Sequence, residues 1–313
     1  MLSMVNVNRY IFKLGFPIVL VLYLIFLVYD RSQWDDGGRL LIVSRHVTNV
    51  AKINHIDAVI TGGSNALFSL SAEQLSDATN YAWYNAALLN EGFSGSNYHK
   101  FLTTIFNEKL AANVKLVVYS TVYPYRVGEI KQRSDYNGPV NGRGRLGIKP
   151  DRNALSHIKK WINGDAIEET HKRYPEPTRF GDLNFDAYDC DDFPSEDIKF
   201  ERENSDMASE EIARNIIFFK HIFPNAKLVL VFPSEFYGDS LDMLKLVSYN
   251  HAIIEGVSKV LGQSDVFMRN PISFISQPPF PDSYFICDAR HHASRKGREW
   301  RSQNLASMLL SPE

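Results

Sequence analysis

Ala58-Val59-Ile60-Thr61-Gly62-Gly63-Ser64-Asn65 decides how the rest of the chain is read. The run from Ile56 to Thr61 is apolar and strand-like, and it ends in two glycines, a serine and an asparagine. A Gly-Gly-Ser-Asn alone is an ordinary turn. It gains meaning from a second stretch at the far end of the chain, Asp288-Ala-Arg-His291-His292-Ala-Ser-Arg-Lys-Gly297. That stretch places an acid and an imidazole just before a predicted last helix, Ser294 to Leu310. A hydroxyl at the mouth of a sheet, with His and Asp folded back onto it, makes a nucleophile, base and orienter set. The imidazole takes the serine proton, and the acid holds the ring tautomer and stabilises the imidazolium. Acyl transfer or ester hydrolysis is the chemistry such a set performs.

Outward from Ser64 the chain alternates short apolar runs with helix-like stretches, the pattern of an α/β domain with a mainly parallel sheet. The predicted strands are Ile56 to Thr61, Tyr81 to Leu89, Val114 to Tyr119, Lys227 to Pro233 and Asp265 to Met268. Helical spacing of apolar residues predicts helices over Tyr98 to Ala112, Ser209 to Ile222 and Leu241 to Leu261. From about residue 126 to 204 the alternation breaks. This interval holds Asn137-Gly-Pro-Val-Asn-Gly-Arg-Gly-Arg145, a short predicted helix near Ala154 to Asn163, and an acidic run through Asp182, Asp186, Asp189, Asp191, Asp192, Glu196 and Asp197. A loop of this length in a compact domain reads as a functional cap or insertion over the sheet's carboxyl edge. The acidic run lacks calcium-loop spacing and reads as a solvated surface.

The 313 residues, 44% hydrophobic and 22% charged, are ordinary for a globular protein. A formal net charge of -2, without any aromatic-plus-basic repeat, argues against nucleic acid as a partner. No third spaced His or Cys joins Asp288, His291 and His292, so no metal and no cofactor is expected. Cys190 and Cys287 are equally compatible with one disulfide and with two free thiols.

The N-terminus has a different character. Leu14 to Tyr29 carries no charge and is almost wholly apolar, with Arg9 and Lys13 before it and Asp30 after it. It is short against the roughly 20 residues that cross a bilayer, but Tyr10 to Phe12 extend it if Lys13 snorkels to the interface. A cleavable signal peptide fits less well, because Asp30-Arg-Ser-Gln-Trp-Asp-Asp offers no small-x-small cleavage site. The expectation is an anchor over residues 1–30, a linker over 31–52 and a catalytic domain over 53–313. The basic residues nearly balance across the anchor, with Arg31, Arg39 and Arg45 on the far side. The short N-terminal tail favours an N-in orientation, which puts the domain outside the cytoplasm, in the periplasm of a Gram-negative source.

A serine at the end of the first strand, with Asp and His together before the last helix, resembles the SGNH (GDSL-type) hydrolase and acyltransferase superfamily, in its divergent, membrane-anchored branch. Gly62-Gly63-Ser64-Asn65 resembles that family's Gly-Asp-Ser block, with Gly63 in the place of the usual Asp. Asp288 to Gly297 resembles its closing Asp-x-x-His block. The resemblance covers roughly residues 55 to 312. It implies a three-layer α/β/α fold with a mainly parallel, flavodoxin-like five-stranded sheet. Counted back from Gly297 the family's base falls on His292; counted forward from Asp288 it falls on His291, which stays as the alternative. For the oxyanion and substrate contacts the resemblance offers Ser64 N–H, Gly63, Asn65, Asn85 and Gly92. The family's third-block Asn is absent after the third strand, where Ser120 and Thr121 stand instead.

The resemblance further implies an extracytoplasmic, membrane-anchored serine esterase or O-acyltransferase. It would handle acyl groups, acetyl by default, of a cell-surface polysaccharide through an acyl-serine intermediate. Its expected partners are an acyl donor with a saccharide acceptor, or an acylated saccharide; the bacterial inner membrane through residues 10–29; and a multi-spanning membrane acyltransferase. Trp161, Tyr174 and Tyr188 in the insertion are candidates for a sugar-binding wall. Two other readings stay open: a non-catalytic assembly protein of a polysaccharide export or modification complex, and a lipid esterase or thioesterase.

Overall fold

The computed structural model describes residues 39–88, 95–120, 177–183, 202–234, 240–262, 267, 272–279, 281, 284–286 and 289–311. The chain forms two compact units, residues 1–40 with 142–174, and residues 41–141 with 175–313. All of the first except Arg39 and Leu40 lies outside the described residues, so the expected anchor, the helix near Ala154 and the aromatic residues Trp161, Tyr174 and Tyr188 lie outside them too. Cys190 and Cys287 also fall outside. Among the described residues no helix is long and apolar enough to cross a membrane.

The second unit is built on a sheet of β1 (Ala58–Gly62), β2 (Trp83–Asn85), β3 (Leu116–Ser120), β4 (Lys227–Val231) and β5 (Ser273–Ile275). The strands are all parallel and their order is β2-β1-β3-β4-β5. Every residue of β1, β2 and β3 is buried, which is why these strands read in sequence as unbroken apolar runs rather than alternating ones.

Right-handed crossovers then dictate the layers. The chain steps one way from β1 to β2, through α2 (Ser64–Ser69) and α3 (Ala72–Thr79), and the opposite way through all later strands. The later crossovers carry α4 (Gly95–Ile105), α5 (Glu108–Asn113), α6 (Arg202–Ile222) and α7 (Ser240–Leu261). Accordingly the last helix, α8 (Arg295–Leu310), packs against α2 and α3, while α6 packs against α4 and α7. The expected α/β/α layering and flavodoxin-like order are what the structure has.

Three expectations differ. The fifth strand is Ser273–Ile275, not Asp265 to Met268, where Phe267 is helical and buried. The helix expected over Tyr98 to Ala112 is two, because Asn107 caps α5 by accepting from Leu110 N–H at 2.9 Å. The linker contains a helix, α1 (Arg39–Val50), whose Ile42, His46 and Val50 are spaced four apart and buried on one face.

His46 gives the fold a titration signature. Its ring is wholly buried, edge-on to Tyr84 and Phe101, with Nδ1 2.8 Å from the Tyr84 hydroxyl. Burial lowers its pKa from 6.5 to about 3. The folded chain keeps this ring neutral while the unfolded chain protonates it near pH 6.5, so the stability present above that pH is lost as pH falls toward 3. Each pH unit within that window costs about 1.4 kcal/mol from this group. Urea midpoints measured at pH 7, 6 and 5 are expected to fall accordingly, and less steeply in His46→Gln.

Candidate active site

The strand–turn–helix from Ile56 to Ala72 is buried at every residue but Ser64, which is partly exposed. Gly62 is responsible for that turn. Its φ is +134°, and a Cβ there would stand 1.7 Å from the Ser120 carbonyl oxygen of the neighbouring strand. Both its backbone groups are held: N–H donates to the Tyr98 hydroxyl at 3.0 Å, and the carbonyl accepts from Leu88 N–H at 3.1 Å. Tyr98 passes its own hydrogen to Ala86 O at 3.0 Å. Gly63 then caps α2, its carbonyl accepting from Ala66 and Leu67 N–H, both at 3.1 Å. Ser64 is thus the first residue of α2, standing beyond the carboxyl end of β1.

That position is the topological switch point of the sheet. β1 is flanked by β2 and β3, and the connections leaving β1 and β3 run to opposite faces, which opens a crevice at the carboxyl ends of open α/β sheets. The register pairs Gly62 with Ser120, so the end of β3 lies alongside the turn that carries Ser64.

His292 approaches from the C-terminal segment. It lies on β7 (Ala289–Ala293), which forms an antiparallel hairpin with β6 (Phe285–Ile286) and runs directly into α8, as expected of a histidine just before the last helix. The junction with α8 is tight: Ser294 N–H donates to Tyr284 O at 2.9 Å, and Ser294 Oγ caps α8 by accepting from Gly297 N–H at 3.2 Å. A Cβ at Gly297 would stand 1.9 Å from Tyr284 O, so this glycine lets the hairpin and helix meet. The buried His292 ring packs edge-on against Phe68, centroids 4.7 Å apart. Phe68 lies four residues after Ser64, on the same face of α2. The structure therefore brings β7 and its histidine to the face of the helix that begins with the serine. Asp288, Gly92 and Thr121 lie outside the described residues, as does the side chain of His291.

The polar residues expected to contact substrate are engaged inside the fold. Asn65 is fully buried, its Nδ2 donating to Ser120 Oγ at 2.9 Å. Ser120 Oγ also accepts from Arg301 Nη2 at 2.9 Å. Asn85 donates from Nδ2 to Leu70 O at 3.1 Å and to Asp182 at 3.2 Å, and its Oδ1 accepts from Ala87 N–H at 3.1 Å. The Asn85 amide thus ties β2 to its surroundings rather than reaching into the crevice.

No protein-family model and no curated protein matches the chain. Among solved structures it is similar to an acetyl xylan esterase, Est2A, from the rumen bacterium Butyrivibrio proteoclasticus. The two are 12% identical with a TM-score of 0.41, and the match covers 81% of this chain and 63% of the esterase chain. The chain spans less than two thirds of that esterase's length.

Two residues had no sequence signal. Asp182, inside what reads as a solvated acidic run, is 2% exposed. It accepts from Ala72 N–H at 2.8 Å, Glu73 N–H at 3.0 Å, Ser71 Oγ at 2.9 Å and Asn85 Nδ2 at 3.2 Å. It thereby caps α3 and fastens its own segment, residues 177–183, beside β2. Burial pushes its carboxyl pKa up, while these hydrogen bonds oppose the shift. Asp182→Ala strands several buried donors and is expected to cost about 2 to 4 kcal/mol, read from the urea unfolding midpoint. The other residue is Arg301, whose buried guanidinium looks in sequence like any polar position on an amphipathic helix.

Proposed function

We propose that this chain is a serine esterase or O-acyltransferase of SGNH type, anchored in the bacterial inner membrane with its catalytic domain in the periplasm. Its substrates are acyl groups, acetyl first among them, on a cell-surface polysaccharide. One observation carries the reading: Ser64 alone of a buried strand–turn–helix reaches the surface, at the sheet's switch point, with His292 packed one helical turn along the same face. The motifs at Gly62 to Asn65 and Asp288 to Gly297 support it in the same order.

Ser64 Oγ attacks the acyl carbonyl carbon while its proton passes to the imidazole of His292, which Asp288 orients. The oxyanion is met by Ser64 N–H at the start of α2, and collapse expels the alcohol, which takes the proton from the imidazolium. Water or a sugar hydroxyl then attacks the acyl-Ser64 ester, giving hydrolysis or transfer and restoring the serine. A multi-spanning acyltransferase is the expected source of acyl groups if the reaction is transfer.

A second reading, a non-catalytic assembly protein, draws on Gly63 in the usual Asp position and on Asn65, Asn85 and Ser120 all being engaged internally. Turnover of chromogenic acetyl and octanoyl esters by the full chain separates the readings. Acetyl turnover that vanishes in His292→Ala supports the esterase and makes His292 the base. Preference for octanoyl moves the reading to a lipid esterase or thioesterase. Absence of turnover on either, together with no transfer of acetyl to saccharide, favours the assembly protein.

A further inference from the structure

Arg301 is the largest of the fully buried side chains among the described residues. A guanidinium stays protonated, so burying it is costly unless its donors are placed. Here they fan out across the carboxyl ends of the sheet. Nη1 donates to Asn65 O at 3.2 Å, Nη2 to Ser120 Oγ at 2.9 Å and to Phe232 O at 3.3 Å, and Nε to Gln277 Oε1 at 2.6 Å. Gln277 Nε2 donates back to Arg301 O at 3.0 Å, which closes the pair into a ring. The turn after β1, the end of β3, the residue after β4 and the segment after β5 all meet on one cation. That cation belongs to α8, the helix entered directly from β7 and His292.

We propose that Arg301 is a positioning residue for Ser64. The proposal rests on Ser64 being the nucleophile. Ser64 sits between two restraints: Gly63 caps the helix before it, and Asn65 after it is clamped twice, at its carbonyl by Arg301 and at its amide through Ser120, which Arg301 also holds. The same guanidinium ties this turn to the helix that follows the histidine, so one group sets the serine against its base. Apolar packing of equal volume serves stability as well or better than a buried ion, so the cation is accounted for by what it holds in place. Displacing a reacting atom by about 1 Å costs on the order of 100-fold in rate, whereas substrate binding elsewhere in the crevice is untouched.

The test is kcat and KM for acetyl-ester hydrolysis per active site, counted by fluorophosphonate titration, in wild type, Arg301→Lys and Gln277→Ala. Lysine keeps the charge but loses the fork that reaches four acceptors. Arg301→Lys is expected to lower kcat about 100-fold with KM within about twofold, and Gln277→Ala, one bond removed from the clamp, about 3- to 10-fold. The rate of fluorophosphonate labelling should fall in parallel. Unchanged kcat per site in folded Arg301→Lys overturns the proposal. If that variant does not fold, unchanged kcat in Gln277→Ala overturns it. A wild type that neither hydrolyses the ester nor reacts with fluorophosphonate rejects the nucleophile reading itself, and the positioning role falls with it.

Discussion

Ser64→Ala is expected to lower kcat for acetyl-ester hydrolysis by on the order of 10⁴- to 10⁶-fold, with KM and the urea unfolding midpoint nearly unchanged. The two halves of that expectation have separate causes. On the proposed mechanism the activity disappears because the acyl-enzyme requires the Ser64 oxygen, and the residual rate over water comes only from the oxyanion donor and from binding. Stability is spared because Ser64 is the partly exposed residue of its segment: the turn is held by Gly62, Gly63 and Asn65, whose hydrogen bonds do not pass through the serine hydroxyl. Circular dichroism and steady-state kinetics on the same preparation check both. A variant that loses activity and stability together would mean that the hydroxyl holds the fold.

Gly62→Ala has the opposite signature. A Cβ at this position would lie 1.7 Å from Ser120 O and 2.8 Å from its carbonyl carbon, both backbone atoms of the adjacent strand. The backbone at φ +134° is also one that L residues rarely adopt. Relief requires β1 and β3 to separate at their carboxyl ends, where Gly62 pairs with Ser120. The expected cost exceeds about 4 kcal/mol, enough to unfold a domain of ordinary stability. Expression yield and the urea midpoint read this directly, and any folded fraction should have lost esterase activity through displacement of Ser64. A folded, active Gly62→Ala would show that the turn is not held as described.

The sequence made the sheet legible where burial was complete. β1 to β4 overlap their predicted runs because parallel strands covered on both faces are continuous stretches of Val, Leu, Ile and Tyr. β5 failed for the converse reason: all three of its residues are only partly buried, so no apolar run marks it, while Phe267 is a single buried helical side chain that mimics one. Ser64 and His292 stand out in sequence because the chemistry proposed for them has a sequence form, a glycine turn after a strand and a histidine before a capped helix; the structure places His292 against Phe68, one turn along from Ser64. Arg301 and Asp182 were not, since a charged side chain in sequence looks solvated until its acceptors, scattered over Asn65, Ser120, Phe232 and Gln277, are brought together by the fold. The family resemblance alone offers Asn85 for an oxyanion or substrate contact, and in the structure it is the last residue of β2. Its amide is engaged by Leu70, Ala87 and Asp182, the last of these distant in sequence.

The most direct test of the nucleophile is reaction of the full chain with a fluorophosphonate, followed by peptide mapping of the adduct. A single phosphonyl adduct on Ser64, formed far more slowly in His292→Ala and not at all in Ser64→Ala, is the predicted result. An unlabelled chain, or an adduct on another serine while acetyl esters are still hydrolysed, would contradict the account.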